Sequence, residues 1–314
     1  MRQLTIAIAG AGSRAAQHLD TLALLGDHYR VVAISDPRAD RVANAAARFR
    51  AAAFEDPVRM LDEARPDALF IVVPPDGHHP LTIAAAERGI HVLSEVPISI
   101  TLPLADRMID AGRRAGVVLE ICENVPRLPK ERLKREVIQQ GLLGEILLAR
   151  LQYASGAYHG ISAVRRLLPG RATRVWGFRR TLPALSPVEF SGLVQDTQDW
   201  EFGFFSFGEV AEGSGAEPTE VARLLYEQPP RPGARNSWEV VGTRGRMTDL
   251  VINLLQDQPD DKRREVSYPI SYETAPRPGG GETLLRALIA TDPPVIWENP
   301  HAHLGLPAGP DDVA

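Results

Sequence analysis

Leu4-Thr5-Ile6-Ala7-Ile8-Ala9 runs straight into Gly10-Ala11-Gly12-Ser13-Arg14-Ala15, after which Ala15, Leu19, Leu22 and Leu25 recur at helical spacing. A short apolar strand, a glycine turn and a helix, in that order, form the first half of a crossover that returns to a parallel strand. Val31-Val32-Ala33-Ile34-Ser35 supplies that strand and stops at Asp36-Pro37. The alternation continues for the first 120 or so residues. A helical stretch over residues 38–49 precedes the apolar run at residues 68–73, which Pro74-Pro75 end. Residues 81–88 read as a helix stopped by Gly89, residues 91–94 as a strand, 104–115 as a helix and 117–121 as a strand. Strands that are apolar throughout are buried on both faces, which predicts a parallel sheet covered by helices on each side.

After Asn124 the pattern changes. Residues 130–140 are amphipathic and end at Gly141. Strand-like segments then follow at residues 146–153, 173–181, 200–210 and 237–241, with Pro- and Gly-rich surface loops at 228–233 and 276–281. Strands gathered in this way predict an α+β unit built on an open, mostly antiparallel sheet. Residues 301–314 read as a polar tail without a closing element.

A chain of 314 residues accommodates two such units, with the boundary expected between residues 122 and 123. Hydrophobic residues at 44% and charged residues at 24% exclude a disordered chain, and no apolar run approaches the length of a membrane span. Lys and Arg number 35 against 40 Asp and Glu, so the net charge of −5 leaves no electrostatic footprint for nucleic acid or anionic lipid. A single cysteine, Cys122, excludes an internal disulfide framework and a thiolate zinc cluster. Together these point to a cytoplasmic protein with a small-molecule partner, no nucleic acid and no membrane. Met1-Arg2 followed by an apolar run also fits a short signal peptide. The run is brief and only one basic residue precedes it, so a buried first strand is preferred.

The glycine motif Gly10-x-Gly12-x-x-Ala15 lies where a strand opens into a helix. Its first glycine allows the tight turn, its second lets backbone N–H groups approach a pyrophosphate, and Ala15 lets the helix pack close to the sheet. The helix N-terminus adds partial positive charge. This predicts a dinucleotide site with Gly10, Gly12, Ser13 and Arg14 around the diphosphate. Asp36 stands 24 residues beyond Gly12, where an acidic side chain hydrogen-bonds the adenosine ribose. Its charge repels a 2′-phosphate and favours NAD, while Arg38 and Arg14 soften the preference and leave NADP open. The same aspartate also suits a helix-capping turn before Pro37. Ligands of open parallel sheets gather at the carboxyl ends of the strands. That rim holds Pro75, Asp76 and His79 after the third run, Glu95 after the next strand, and Glu123 and Asn124 after the last. Glu95 equally suits a cap for the segment that follows, and His78-His79 read as a loop pair. No carboxylate stands at supporting spacing, so no metal is expected. Cys122 reads as a small buried hydrophobe.

In combination, Gly10-Ala11-Gly12-Ser13-Arg14, Asp36-Pro37, Pro75-Asp76-Gly77-His78-His79, residues 89–97 ending in Glu95-Val96-Pro97, and residues 141–146 resemble the glucose-fructose oxidoreductase / inositol dehydrogenase / MocA family. The resemblance covers residues 6 to about 168, with a weaker echo at residues 239–245. It implies a Rossmann dinucleotide-binding domain followed by an open-sheet domain that carries substrate contacts and forms a homodimer or homotetramer. It also implies sugars, cyclitols or related polyols as substrates. Where the family has Glu-Lys-Pro, with a lysine that polarises the substrate hydroxyl, this chain has Glu95-Val96-Pro97. Where the family has an aspartate four residues before a catalytic histidine, it has Ser155 before His159. Glu-Val-Pro together with the later Glu123-Asn124 pair is similar to a divergent subgroup.

His159 is thereby the acid/base candidate, since imidazole titrates near neutrality and can take a carbinol proton as hydride leaves. Tyr158 or Tyr153 would donate a hydrogen bond to the same oxygen, and Glu95 completes the expected catalytic set. Asn124, Glu95 and His79 are expected beside the nicotinamide. Arg165 and Arg166 form either a solvated helix face or the seat of an anionic substrate group. The leading expectation is an NAD(P)-dependent oxidoreductase. The alternatives are a redox-neutral NAD-dependent glycosidase or lyase, and a non-catalytic cofactor-binding subunit, which Val96 and Ser155 make plausible.

Overall fold

The computed structural model describes residues 2–153, 157–190, 193–209, 217–229, 236–259, 262–277 and 280–308. The chain divides into two units, Met1–Glu123 and Asn124–Ala314.

The first unit alternates strand and helix. In chain order it contains β1 (Leu4–Ala9), α1 (Ser13–Leu24), β2 (Tyr29–Ser35), α2 (Ala39–Phe49), β3 (Ala52–Phe54), α3 (Pro57–Ala64) and β4 (Ala68–Ile71). It continues through α4 (His78–Ala86), β5 (His91–Ser94), α5 (Leu102–Ala115) and β6 (Leu119–Ile121). The strands are all parallel, in the order β3-β2-β1-β4-β5-β6. This is the doubly wound arrangement whose ligand crevice opens where the strand order reverses, between β1 and β4. Side chains of a strand alternate between faces. Ile6 and Ile8 of β1 therefore join Ala15, Leu19, Val42 and Phe70 in one core cluster, while Ala7 and Ala9 join Met60, Leu61, Leu69 and Ala85 in another. Two buried faces explain why β1 is apolar throughout Ile6–Ala9.

In the first unit two elements, β3 and α3, have no counterpart in the periodicity reading. β3 is three residues long, too short for a period. The start of α3 is signalled instead by its cap, since Asp56 accepts from the N–H groups of Val58 (2.7 Å) and Arg59 (3.1 Å) and Pro57 opens the helix. His78-His79, expected in a loop, instead begin α4.

The second unit begins with a 3-10 turn, Val125–Arg127, and α6 (Pro129–Gln139). After β7 (Ile146–Gln152) and α7 (Ala157–Arg165) come the long strands β8 (Arg171–Phe190) and β9 (Leu193–Glu209), then β10 (Thr219–Gln228), β11 (Ser237–Gly242) and β12 (Gly245–Met247). The remaining strands are β13 (Val251–Asp257), β14 (Arg263–Pro269), β15 (Ser271–Pro276), β16 (Glu282–Ile289) and β17 (Val295–Glu298). Among the described residues they form an open sheet, β14-β13-β12-β11-β7-β10-β9-β8, and a small sheet, β15-β16-β17. All pairs in the two sheets are antiparallel except β7 with β10. One face of the open sheet buries Ala149, Leu151, Leu224, Tyr226 and Val240 in a single core with Leu133 and Val137 of α6 and Val164 of α7. The opposite face carries Arg150, Gln152, Glu227 and Glu239, together with aromatic residues of β8 and β9. β8 and β9 outrun their neighbour. β10 pairs with β9 only over Glu201–Glu209, so the pairs from Arg180↔Trp200 out to Phe190↔Leu193 form a two-stranded ribbon.

Parts of the expected loops, residues 230–233 and 278–279, lie outside the described residues, as do Ser155 and residues 309–314 of the expected tail. The described part of that tail contains one 3-10 turn, Ala302–Leu304. Among the described residues no helix is long and apolar enough to cross a membrane.

Candidate functional site

The turn between β1 and α1 is shaped by two glycines with different duties. Gly10 has φ +104°, and a Cβ there would lie 2.0 Å from the Val72 carbonyl oxygen. No side chain fits, because the turn passes directly over the end of β4. Gly12 caps the N-terminus of α1 in extended backbone, and a Cβ built on it meets nothing within 4 Å. Above Gly12, then, is open space beside the uncapped first turn of a helix. Ala15 is fully buried against the sheet, as close helix packing requires.

Asp36 ends β2 nearly buried, at 8% exposure. Its Oδ2 accepts the Ala11 N–H at 2.9 Å and its Oδ1 the Arg38 N–H at 3.0 Å. The two sequence readings therefore combine. Asp36 holds the turn that starts α2, and it also ties the glycine loop to β2. Each oxygen retains a further lone pair for an external donor. Arg38 is exposed and pairs with Asp40 at 3.3 Å.

Glu95, at the end of β5, is the most tightly held carboxylate of this rim. Oε1 accepts from Arg14 Nε at 2.5 Å and contacts His18 Nε2 at 2.6 Å, while Oε2 accepts the Val96 N–H at 3.0 Å. Burial pushes its pKa up, but the bonds from His18, Arg14 and Val96 outweigh it and bring the group down to about 2. Glu95 is thus a fixed negative charge at neutral pH. His18, tilted against Phe70 at 4.5 Å between ring centroids, is a site residue the sequence reading missed. The available signal was its position on the face of α1 that also carries Ala15 and Leu22, the face turned to the sheet.

Of the two histidines that open α4, it is His78 that is fully buried. Its Nδ1 lies 2.8 Å from the Pro97 carbonyl oxygen and its Nε2 3.0 Å from that of Val73, so it ties together the segments that follow β4 and β5. His79 is half-buried, and Pro75 and Ser13 are exposed. Val96, at the position of the family lysine, is half-buried. Cys122 is half-buried against the cluster containing Ile8 and Phe70.

In the second unit, Tyr158 and His159 lie in the first turn of α7 with ring centroids 4.3 Å apart, Tyr158 exposed and His159 half-buried. Arg165 packs over the Phe207 ring at 5.4 Å, which accounts for its place on α7 without an anion. Asn124 is exposed at the start of this unit. The structure therefore gathers Gly10, Gly12, Arg14, Asp36 and Glu95 at one end of the first unit, and Tyr158 with His159 in the second. A cavity of about 550 Å³ on the open sheet, bordered by Arg150, Gln152, Phe202, Glu227 and Glu239, contains none of the expected site residues.

Residues 4–122 match the family described as an oxidoreductase family with an NAD-binding Rossmann fold. Inositol 2-dehydrogenase 4 of Saccharopolyspora erythraea is 32% identical over 150 residues, 47% of this chain and 44% of that protein. D-glucoside 3-dehydrogenase of Escherichia coli is 31% identical over 144 residues, 46% of this chain and 41% of that protein. The matched region spans less than half the length of either relative. Among solved structures, levoglucosan dehydrogenase in complex with NADH and levoglucosan shares the fold with a TM-score of 0.67 at 21% identity, covering 85% of this chain and 80% of that one.

Proposed function

We propose, from the match of residues 4–122 to the oxidoreductase family with the NAD-binding Rossmann fold, that the chain is an NAD-dependent dehydrogenase of a sugar, cyclitol or related polyol. The observation that carries this reading is the open space above Gly12 at the head of α1, beside a glycine turn that tolerates no side chain. That cradle suits a diphosphate. The names of the relatives, inositol and D-glucoside dehydrogenases, support the substrate class.

In this reading the first unit binds the cofactor. Gly10, Gly12, Ser13 and Arg14 surround the diphosphate, and Asp36 offers its remaining acceptor capacity to the ribose hydroxyls. Arg38 stands nearby on the exposed side. Pro75, His79 and Glu95 belong to the nicotinamide end. When bound, the dinucleotide supplies the carbon that accepts or returns hydride. Glu95, ionised and clamped, fixes Arg14 and His18 and contributes charge rather than a proton. The second unit supplies proton chemistry. His159 takes the carbinol proton, and Tyr158 donates a hydrogen bond to the same oxygen. The exposed aromatic residues Trp176 and Phe178 on the open sheet support a homodimer or homotetramer formed through that face. A single cysteine supports a cytoplasmic location.

The test is a panel of sugars, cyclitols and their keto forms, followed by NADH absorbance and product analysis. At least one polyol is expected to generate NADH stoichiometrically. His159→Ala is expected to abolish that turnover while NADH affinity stays within about twofold. Conversion of a glycoside without net NADH would establish the redox-neutral alternative. NADH binding without turnover of any member would favour a cofactor-binding subunit. Absence of calorimetric binding of either NADH or NADPH to folded protein would overturn the whole reading.

A further inference from the structure

Sequence spacing admits two arginines, Arg14 and Arg38, beside the adenosine end of a dinucleotide, and the structure separates them. In a doubly wound sheet each half takes one nucleotide, and the acidic side chain after the second strand marks the adenosine half. Ser35, Ala9, Ile71 and Ser94 stand in register across β2, β1, β4 and β5. Asp36 and Glu95 each follow that rung by one residue, so three strand spacings, about 14 Å, lie between them. Arg38 stays at the Asp36 end. Its N–H donates to Asp36 Oδ1 at 3.0 Å, and its guanidinium pairs with the exposed Asp40 at 3.3 Å. Arg14, the cation in the first turn of α1, is drawn instead to the Glu95 end.

Several groups hold Arg14 there. Its Nε donates to Glu95 Oε1 at 2.5 Å, and the same oxygen lies 2.6 Å from Nε2 of His18, one turn further along α1. Two side chains on one face of the helix thus converge on a single carboxylate oxygen. Gln17 Oε1 accepts from Arg14 Nη1 at 2.8 Å. Glu95 is itself buried, and its other oxygen accepts the Val96 N–H at 3.0 Å. A charge-assisted bond to a carboxylate shielded from water outlasts an exposed pair such as Arg38 with Asp40. Arg14 also starts close to the adenosine end. It stands three residues beyond Ala11, whose N–H donates to Asp36 Oδ2 at 2.9 Å. Once released from Glu95, its long side chain can turn toward a second phosphate beside Asp36.

We propose that Glu95 is a positioning residue for coenzyme choice: by holding Arg14 at the β5 end it keeps that cation from a 2′-phosphate, and leaves Asp36 and Arg38 to set the preference between NADH and NADPH. The inference rests on the dehydrogenase reading and concerns which of two coenzymes fits it. In its held position Arg14 attracts the diphosphate that both coenzymes share, so it strengthens the two alike.

The test is calorimetric titration of the full chain with NADH and with NADPH at constant ionic strength, read as the ratio of the two dissociation constants. The wild type is expected to favour NADH. Arg14→Gln is expected to weaken both nucleotides and leave their ratio within about twofold of the wild type. Glu95→Gln is expected to move the ratio about fivefold toward NADPH, and Glu95→Gln combined with Arg14→Gln to bring it back. A merely structural part for Glu95 would weaken both nucleotides together, and an unmoved ratio in Glu95→Gln would overturn the proposal. A shift that persists in the double variant would overturn it as well. So would a selective loss of NADPH in Arg14→Gln, the measurement that decides should Glu95→Gln fail to fold. A wild type that binds neither nucleotide would overturn the dehydrogenase reading and this inference with it, whereas NADH binding with an unmoved ratio would overturn the inference alone.

Discussion

Asp36 is a residue whose chemistry is divided between structure and ligand. Its carboxylate holds the N–H groups of Ala11 and Arg38 before any cofactor arrives. Asp36→Ala is therefore expected to weaken NADH binding about tenfold, shift preference toward NADPH, and lower stability by about 1 kcal/mol, because the Ala11 N–H loses its acceptor. Titration with both nucleotides beside a urea melt separates the two effects. At Glu95 the sign of the pH effect follows from its depressed pKa. A carboxyl that falls from 4.5 to about 2 on folding stabilises the native state above its unfolded pKa. The contribution, on the order of 3 kcal/mol, is present at neutral pH and disappears as pH falls from about 4.5 to about 2. Glu95→Gln is expected to flatten this part of a Tm-against-pH curve, and parallel curves for the two proteins would refute the clamp. The sequence revealed the glycine turn and Asp36 because their spacing is local. It did not reveal the partners of Glu95, since Arg14 and His18 lie 81 and 77 residues away and meet it only once β1 and β5 share a sheet.

At the scale of elements, α6 shows what amphipathic patterning leaves out. Its polar residues include Glu131 and Lys134, which are buried and bonded at 2.8 Å, with Trp238 Nε1 donating to the other Glu131 oxygen at 3.1 Å. Burial pushes the carboxyl up and the ammonium down, and each limits the shift of the other. Lys130 on the same helix pairs with Asp249 at 2.9 Å. Lys134→Met strands a carboxylate in the core and is expected to cost about 3 kcal/mol, whereas Glu131→Gln combined with Lys134→Met should recover most of it. Denaturant midpoints of the two variants decide the matter, and equal losses would mean that packing, not charge, is what matters there. Sequence periodicity located α6 and five of the six strands of the first sheet because their apolar positions repeat. It missed β3, which is too short for a period, along with α3, β10 and β12 to β17, and it recorded β8 and β9 only over residues 173–181 and 200–210, largely where they join the sheet.

For the whole molecule, the two faces of the open sheet differ in kind. One is covered by α6 and α7, while the other presents Trp176 at 63% exposure and Phe178 at 46%, stacked edge-on with Phe202 and Trp200. A second copy is expected on this face, so Phe178→Glu should lower the mass measured by light scattering toward that of a single chain. An unchanged mass would place any assembly elsewhere. The division into two units was legible from the change of pattern near Asn124, because a crossover sheet and an open sheet demand different periodicities. The role of each face was not, since an aromatic residue reads alike whether it fills a core or awaits a neighbour. The β8–β9 ribbon carries its own consequence. Its outer pairs, Val188↔Gln195 to Phe190↔Leu193, lie beyond a break in register after Pro183↔Thr197, so the hairpin can be cut back to that break as one piece. That cut leaves the regular rungs Arg180↔Trp200 to Pro183↔Thr197 facing as they do and disturbs no rung shared with β10. The length of this projection is thus a free variable, which inheritance or an engineer can retune while the scaffold beneath stays the same.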